Sequence, residues 1–348
     1  MGGKMMKYGL GALPLLVIAS PLEAATPPNP LFAADTPIAL TIRGPINAVA
    51  RGAERSRAPA DGTIALAGGT DINAARFSPR GITRLRKETC SFPPLRVDFT
   101  KPPAATSLFA GQRRLKLVTH CRSSADFQQH VLLEYAAYRI FNLISPLSFR
   151  ARLATIDYVE PDGRPLTSRY GFFIEDFDDV ARRNGLTKAR VGDRIPSVQL
   201  EARQAARFAM FQYMIGNLDW SMRAGPEGEG CCHNGRLLAG IGAYYAPVPY
   251  DFDFSGLVNA PYAVPPDGFG ISSVRSRVYQ GYCRHNALAL QAAADIRTQR
   301  PAIEAVFSQI PGMEDRTRRG ALNYLSRFFD DIATDASIQS RVFKKCIG

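Results

Sequence analysis

Short apolar runs crowd the first half of this chain and long helical periodicities fill the second, and that division restricts the fold more than any single motif. Ile38–Arg43, Thr63–Ala67, Leu95–Phe99 and Leu115–Thr119 are apolar or alternating and bounded by Gly, Pro and charged residues, which is strand chemistry. From Asp126 to Leu143, apolar residues at Phe127, Val131, Tyr135, Tyr138 and Phe141 recur with helical spacing, so an amphipathic helix is predicted, with Ser124 placed to cap it. Leu153–Val159 and Tyr170–Ile174 read as further strands, the second leading through Glu175 and Asp176 into a short polar helix ended by Asn184 and Gly185. The Ala- and Gln-rich stretch Val198–Ile215 predicts a buried helix that stops at Gly216 and Asn217. Pro247–Phe254 reads as a strand with alternating carboxylates, Pro261–Gly270 as a loop, and Asn286–Thr298, Pro301–Gln309 and Asp315–Thr334 as closing helices. A sheet-rich part followed by a helix-rich part is an α+β pattern.

The first residues point to the compartment. Lys4 and Lys7 precede an apolar run from Tyr8 to Ala19, and small residues follow at Ala24 and Ala25, the build of a secretory signal peptide. Residues 1–25 are expected to be removed, 26–36 to form a loose Pro- and Ala-rich leader, and structure to begin at Pro37. No later run approaches the roughly 18 uninterrupted apolar residues of a spanning helix, so the mature chain is expected to have no transmembrane segment and to reside in the bacterial periplasm or medium. In that oxidising setting the six cysteines are read first as disulfides. The sharper alternative is a metal site at Cys231, Cys232 and His233 with Cys283 and His285, but adjacent cysteines match the spacing of structural zinc sites poorly. A formal charge of +12 favours anionic partners. Its source is mostly arginine spread along the chain, with neither a Lys-rich tail nor a basic stripe interleaved with aromatics, so nucleic acid is not an expected partner.

P-loop, H-E-x-x-H and G-x-S-x-G signatures are all missing, which sets aside P-loop enzymes, zincins and typical serine hydrolases. What remains is one Lys, one Glu and a set of hard-oxygen ligands in order. Lys116 interrupts an apolar strand, where it can hold phosphates as a fixed cation, and Glu134 on the following helix can pair with it. Asp219 follows a helix at a glycine break and can accept the proton of an attacking hydroxyl. Asn234 precedes a new strand and can bind a metal, while Asp251 and Asp253 at the end of the next strand suit Mg²⁺, which prefers oxygen ligands. Arg80 or Arg84, in the basic turn Ser78–Arg84, can touch phosphate.

The order of these segments, from Leu95–Phe99 through Leu115–Thr119, Leu133–Tyr135 and Asn217–Trp220 to Pro249–Asp253, resembles the spore coat protein H (CotH) kinase family over roughly Leu95 to Gly256. The resemblance implies a two-lobed, protein-kinase-like fold: a sheet-rich N-lobe over 37–176 covering the nucleotide and a helix-rich C-lobe over 177–348. It implies ATP with Mg²⁺ or Mn²⁺, and transfer of a phosphoryl group to a protein or envelope acceptor. Lys116 would be the phosphate-binding Lys, Glu134 its partner, Asp219 the catalytic Asp, Asn234 a metal ligand beyond a looped-out insertion at Gly225–Gly230, and Asp251 the main metal-binding Asp, with Asp253 as second choice. In such a first lobe Cys90 and Cys121 are the expected disulfide pair. The alternative is a catalytically inactive relative that serves as a binding or adhesion protein of the envelope.

Overall fold

The structure is a computed structural model and describes residues 1–2 and 27–348; the expected export signal, apart from its first two residues, lies outside the described residues. Strand β1 (Ile38–Arg43) leads through helix α1 (Ile46–Gly52) into β2 (Ala60–Leu66), β3 (Ile72–Pro79), β4 (Leu95–Phe99) and β5 (Arg114–Val118), each strand antiparallel to the one before. Helix α2 (Ala125–Ile144) intervenes before a long hairpin of β6 (Ala151–Val159) and β7 (Pro165–Ile174). Strand β7 joins β5, and β6 runs parallel to β1 in a register from Ile38 opposite Ala154 to Arg43 opposite Val159.

That last pairing closes seven strands into a mixed barrel of order β1-β2-β3-β4-β5-β7-β6. The closed barrel overturns the expected α+β, two-lobed protein-kinase-like fold, in which a sheet-rich lobe would sit over a helix-rich one. The cause lies at the strand edges. An open sheet would leave the backbone N–H and C=O groups of β1 and β6 unpaired, and the parallel ladder between them satisfies both rows at once. Alternate residues then point inward and fill the interior, among them Leu40, Ile42, Phe77, Val97, Leu117, Ile156 and Phe173. The Pro-rich segment read as loose packs against this core from Leu31 onward: Leu31 and Phe32 are buried, and Arg150 and Arg152 donate to their carbonyls.

The remaining elements build a second core. Helix α3 (Phe177–Arg183) is capped by the Asp176 carboxylate and leads to the short strand β8 (Thr187–Lys188). Helix α4 (Ala202–Ile215) ends at Gly216 in the left-handed conformation, φ 62°, and a Cβ there would collide with the Tyr324 hydroxyl. A hairpin of β9 (Gly235–Ile241) and β10 (Tyr244–Pro249) joins β8 in a three-stranded sheet. Helices α5 (Asn286–Thr298), α6 (Arg300–Ser308) and α7 (Asp315–Asp331) complete the chain's apolar packing with α2 and α4, against the outer faces of β6 and β7 at Leu153, Phe172 and Ile174. All six cysteines pair, as Cys90–Cys121, Cys231–Cys232 and Cys283–Cys346, which leaves no thiolate for the zinc alternative. Among the described residues no helix is long and apolar enough to cross a membrane.

Candidate active site

Where the barrel meets the second core, four chain segments converge on a cleft of about 260 Å³, lined among others by Arg80, Arg84, Asp219, Asn234, Asp251 and Asp253. The β9–β10 hairpin explains how residues far apart in sequence meet. Its register pairs Gly235 with Pro249, so Asn234, just before β9, and Tyr250 and Asp251, just after β10, emerge side by side. The Tyr250 N–H donates to the Asn234 carbonyl at 3.2 Å and keeps the two chains together past the ladder. Asp251 was expected within a strand running to Phe254; the strand instead ends at Pro249, and Asp251 has φ 64°, a left-handed conformation incompatible with a strand. Its N–H donates to the Tyr138 hydroxyl of α2 at 2.9 Å.

Asp219 lies three residues past Gly216, the left-handed cap of α4, with its N–H bonded to the Asn217 side chain. Asn234 donates from Nδ2 to the Asp219 carbonyl at 2.7 Å and to Oδ2 at 3.0 Å. The other carboxylate oxygen, Oδ1, lies 2.7 Å from His233 Nε2, and this bond holds the imidazole above its ordinary pKa. The carboxylate is thus oriented from two sides while remaining partly open to the cleft. His233, expected only as a ligand in the zinc alternative, instead belongs to this site, and its position immediately before Asn234 was the available signal.

A buried guanidinium dominates the floor of the cleft. Arg84, on a 3-10 turn at Thr83–Leu85, places Nη1 3.4 Å from Glu134 Oε2, Nη2 3.2 Å from Asp251 Oδ1 and Nε 3.2 Å from Asp253 Oδ2. Glu134 and Asp253 are buried, with side chains 2% and 8% exposed, whereas Asp251 is 34% exposed and faces the cleft. Burial pushes the Glu134 and Asp253 carboxyls well above the usual carboxylate range, while the Arg84 charge pulls both back. Asp253 also accepts from the Tyr262 hydroxyl at 3.0 Å.

This arrangement corrects the expected Lys116–Glu134 pair. Glu134 takes Arg84 as its ion-pair partner, because a guanidinium fork can span several carboxylates at once where an ammonium is a single point. Lys116, on the outer face of β5, lies instead near the rings of Tyr250 and Phe149, 5.5 and 5.8 Å from their centroids. Burial lowers its pKa to about 8, helped by the positive charges of Arg80 and Arg236 and opposed by Asp176 and Asp251. The Arg236 guanidinium also lies against Tyr250, 4.7 Å from the ring centroid. Asp176 also lines a neighbouring, larger cleft of about 810 Å³ on the barrel wall with Arg76, Arg96 and Arg114.

The expected metal set of Asn234, Asp251 and Asp253 is rearranged as well. Asn234 turns its amide nitrogen to Asp219, and Glu134 supplies the third carboxylate, such that oxygens of Glu134, Asp251 and Asp253 lie within 4.8 Å of one another. Glu134 Oε1 is buried with no hydrogen-bond partner. Three clustered carboxylates with one orphaned oxygen fit a hard divalent cation such as Mg²⁺ or Mn²⁺. No protein-family model matches the chain, and no curated protein matches it.

Proposed function

We propose that this protein is an exported, metal-dependent phosphotransferase that moves the terminal phosphoryl group of ATP, with Mg²⁺ or Mn²⁺, to a hydroxyl of a protein or envelope acceptor. The observation that carries the reading is one cleft lined by an oriented carboxylate, Asp219, by the clustered carboxylates Asp251 and Asp253 and by the cations Arg80 and Arg236, with Lys116 behind it against the ring of Tyr250. Phosphoryl transfer needs this combination: fixed positive charge for the anionic donor, hard oxygen ligands, and a base placed for the acceptor. The three disulfides support an oxidising compartment. The order of Asp219, Asp251 and Asp253 along the chain, which resembles that of the CotH kinases, supports the same chemistry.

In the proposed reaction the acceptor oxygen forms a bond to the terminal phosphorus, the bond from that phosphorus to the leaving diphosphate oxygen breaks, and the acceptor proton passes to Asp219. Asn234 and His233 hold the two Asp219 oxygens, so the carboxylate is oriented before the acceptor arrives. Arg80, Lys116 and Arg236 neutralise the donor's phosphates. A divalent ion, held by Asp251 and Asp253, would supply further charge compensation for those phosphates.

Incubating the full mature chain with terminally labelled ATP, Mg²⁺ or Mn²⁺, and either itself or a generic protein acceptor tests the reading. Metal-dependent transfer of label is the expected result. Failure to bind ATP with any divalent metal would overturn it.

A further inference from the structure

We propose that the Arg84 guanidinium is the resident cation of a divalent-metal site built from Glu134, Asp251 and Asp253, and that a metal ion enters by exchanging with it. The inference deepens the phosphotransferase reading by assigning control of metal entry at the same site.

Oxygens of the three carboxylates lie within 4.8 Å of one another, and two of the three side chains are almost wholly buried. Ionised carboxylates at such spacing in a poorly solvated place repel strongly and demand a counter-cation. Arg84 supplies one, reaching each carboxylate with a different nitrogen at 3.2–3.4 Å. Those separations exceed the roughly 2.7–2.9 Å of close charge-assisted hydrogen bonds, so the guanidinium spans the cluster without saturating it. A single guanidinium is shared among three carboxyl groups, and the buried Glu134 Oε1 is left without a partner. A small divalent cation answers both deficits, with more charge and room for further oxygen ligands.

The turn that carries Arg84 is placed to let it move. Its upstream end is fixed where the Arg80 N–H meets the Pro94 carbonyl, and its downstream end by the Cys90–Cys121 disulfide and by Arg122, which donates to the Glu88 and Thr89 carbonyls. Between these anchors the backbone bonds are local, Leu85 to Ile82 and Arg86 to Thr83, and Gly81 enters the turn at φ 102°. Ile82, the residue after this glycine, is 70% exposed. Displacing Arg84 toward the cleft therefore costs no bond of the barrel ladder.

The test is Mn²⁺ binding to the full mature chain, read by the paramagnetic signal of free Mn²⁺, for wild type, Arg84→Gln and the double variant Arg84→Gln/Glu134→Gln. Exchange predicts that Arg84→Gln binds Mn²⁺ about tenfold more tightly or better, each tenfold being about 1.4 kcal/mol, and that the second substitution removes the gain. A folded Arg84→Gln that binds Mn²⁺ no more tightly than wild type overturns the proposal, since Arg84 would then only brace the carboxylates. If the variant does not fold, wild type decides: Mn²⁺ should raise the labelling of Arg84 by an arginine-specific dicarbonyl reagent, and unchanged or reduced labelling overturns exchange. The two readings fail separately. Tighter Mn²⁺ binding in Arg84→Gln with no phosphoryl transfer by any form removes the phosphotransferase and keeps the exchange, whereas transfer by wild type with unchanged Mn²⁺ affinity in Arg84→Gln does the reverse.

Discussion

Asp219 and Asp251 share a cleft but answer to different neighbours, and their substitution should separate two steps. Asp219 is bonded to His233 and Asn234 and belongs to no ion cluster, so Asp219→Asn should leave nucleotide affinity nearly unchanged while slowing transfer by about 10² to 10⁴, the range for a positioned base. Asp251 is the most exposed member of the carboxylate cluster, and Asp251→Asn should abolish metal-dependent nucleotide binding. Calorimetric titration with a non-hydrolysable nucleotide and Mg²⁺, run beside the transfer assay, reads both effects. The residue types of this site were legible in the sequence, since Arg80, Asp219, Asn234, Asp251 and Asp253 all line one cleft. Partner choice was not. Whether Glu134 meets Lys116 or Arg84 depends on where an irregular turn lays a long side chain, and no local periodicity encodes that.

At the scale of elements, periodic segments were read closely and irregular ones were not. Helix α2 was expected from Asp126 to Leu143 and runs from Ala125 to Ile144, because its apolar positions repeat strongly. Strand β3 went unread: its inward residues are Asn73, Ala75 and Phe77, and a polar and a small residue blunt the two-residue alternation. The overlong β10 has the opposite cause. Tyr250, Phe252 and Phe254 alternate with acids as a strand would, yet Phe252 is buried in the second core beside Tyr138 and Phe211, outside any ladder. The Cys90–Cys121 bridge closes a 31-residue separation and anchors the stem of the Arg84 turn to the exit of β5. Replacing both cysteines with Ala should lower stability by about 2–4 kcal/mol, most of it through the freed unfolded chain, as measured by urea unfolding of wild type and variant.

Among the groups that set the molecule's response to pH, His120 works against the fold in acid. His120 is buried, its ring centroid 4.3 Å from that of Phe92 and its Nδ1 without a partner, and burial, with a smaller push from Arg169, lowers its pKa to about 3. An unfolded histidine takes up a proton near pH 6.5, which the native ring refuses until about pH 3. Stability from this group is therefore complete above pH 6.5 and is lost as pH falls, at up to about 1.4 kcal/mol per pH unit. Burial lowers His130 and His285 in the same direction, so the diagnostic is a difference: His120→Phe should unfold with a shallower dependence between pH 7 and pH 4.5 than wild type. Barrel closure has a consequence of another kind, in the order of assembly. The first strand finds its second neighbour only in β6, Ile38 against Ala154, so a chain emerging from its N-terminus carries an unmatched β1 edge until Val159 has been made. Pairings that distant close slowly, on the millisecond-to-second scale typical of non-local sheets, and an edge left waiting recruits other chains. The contact that gives the finished barrel no open edge is thus the one that leaves the nascent chain longest in need of protection.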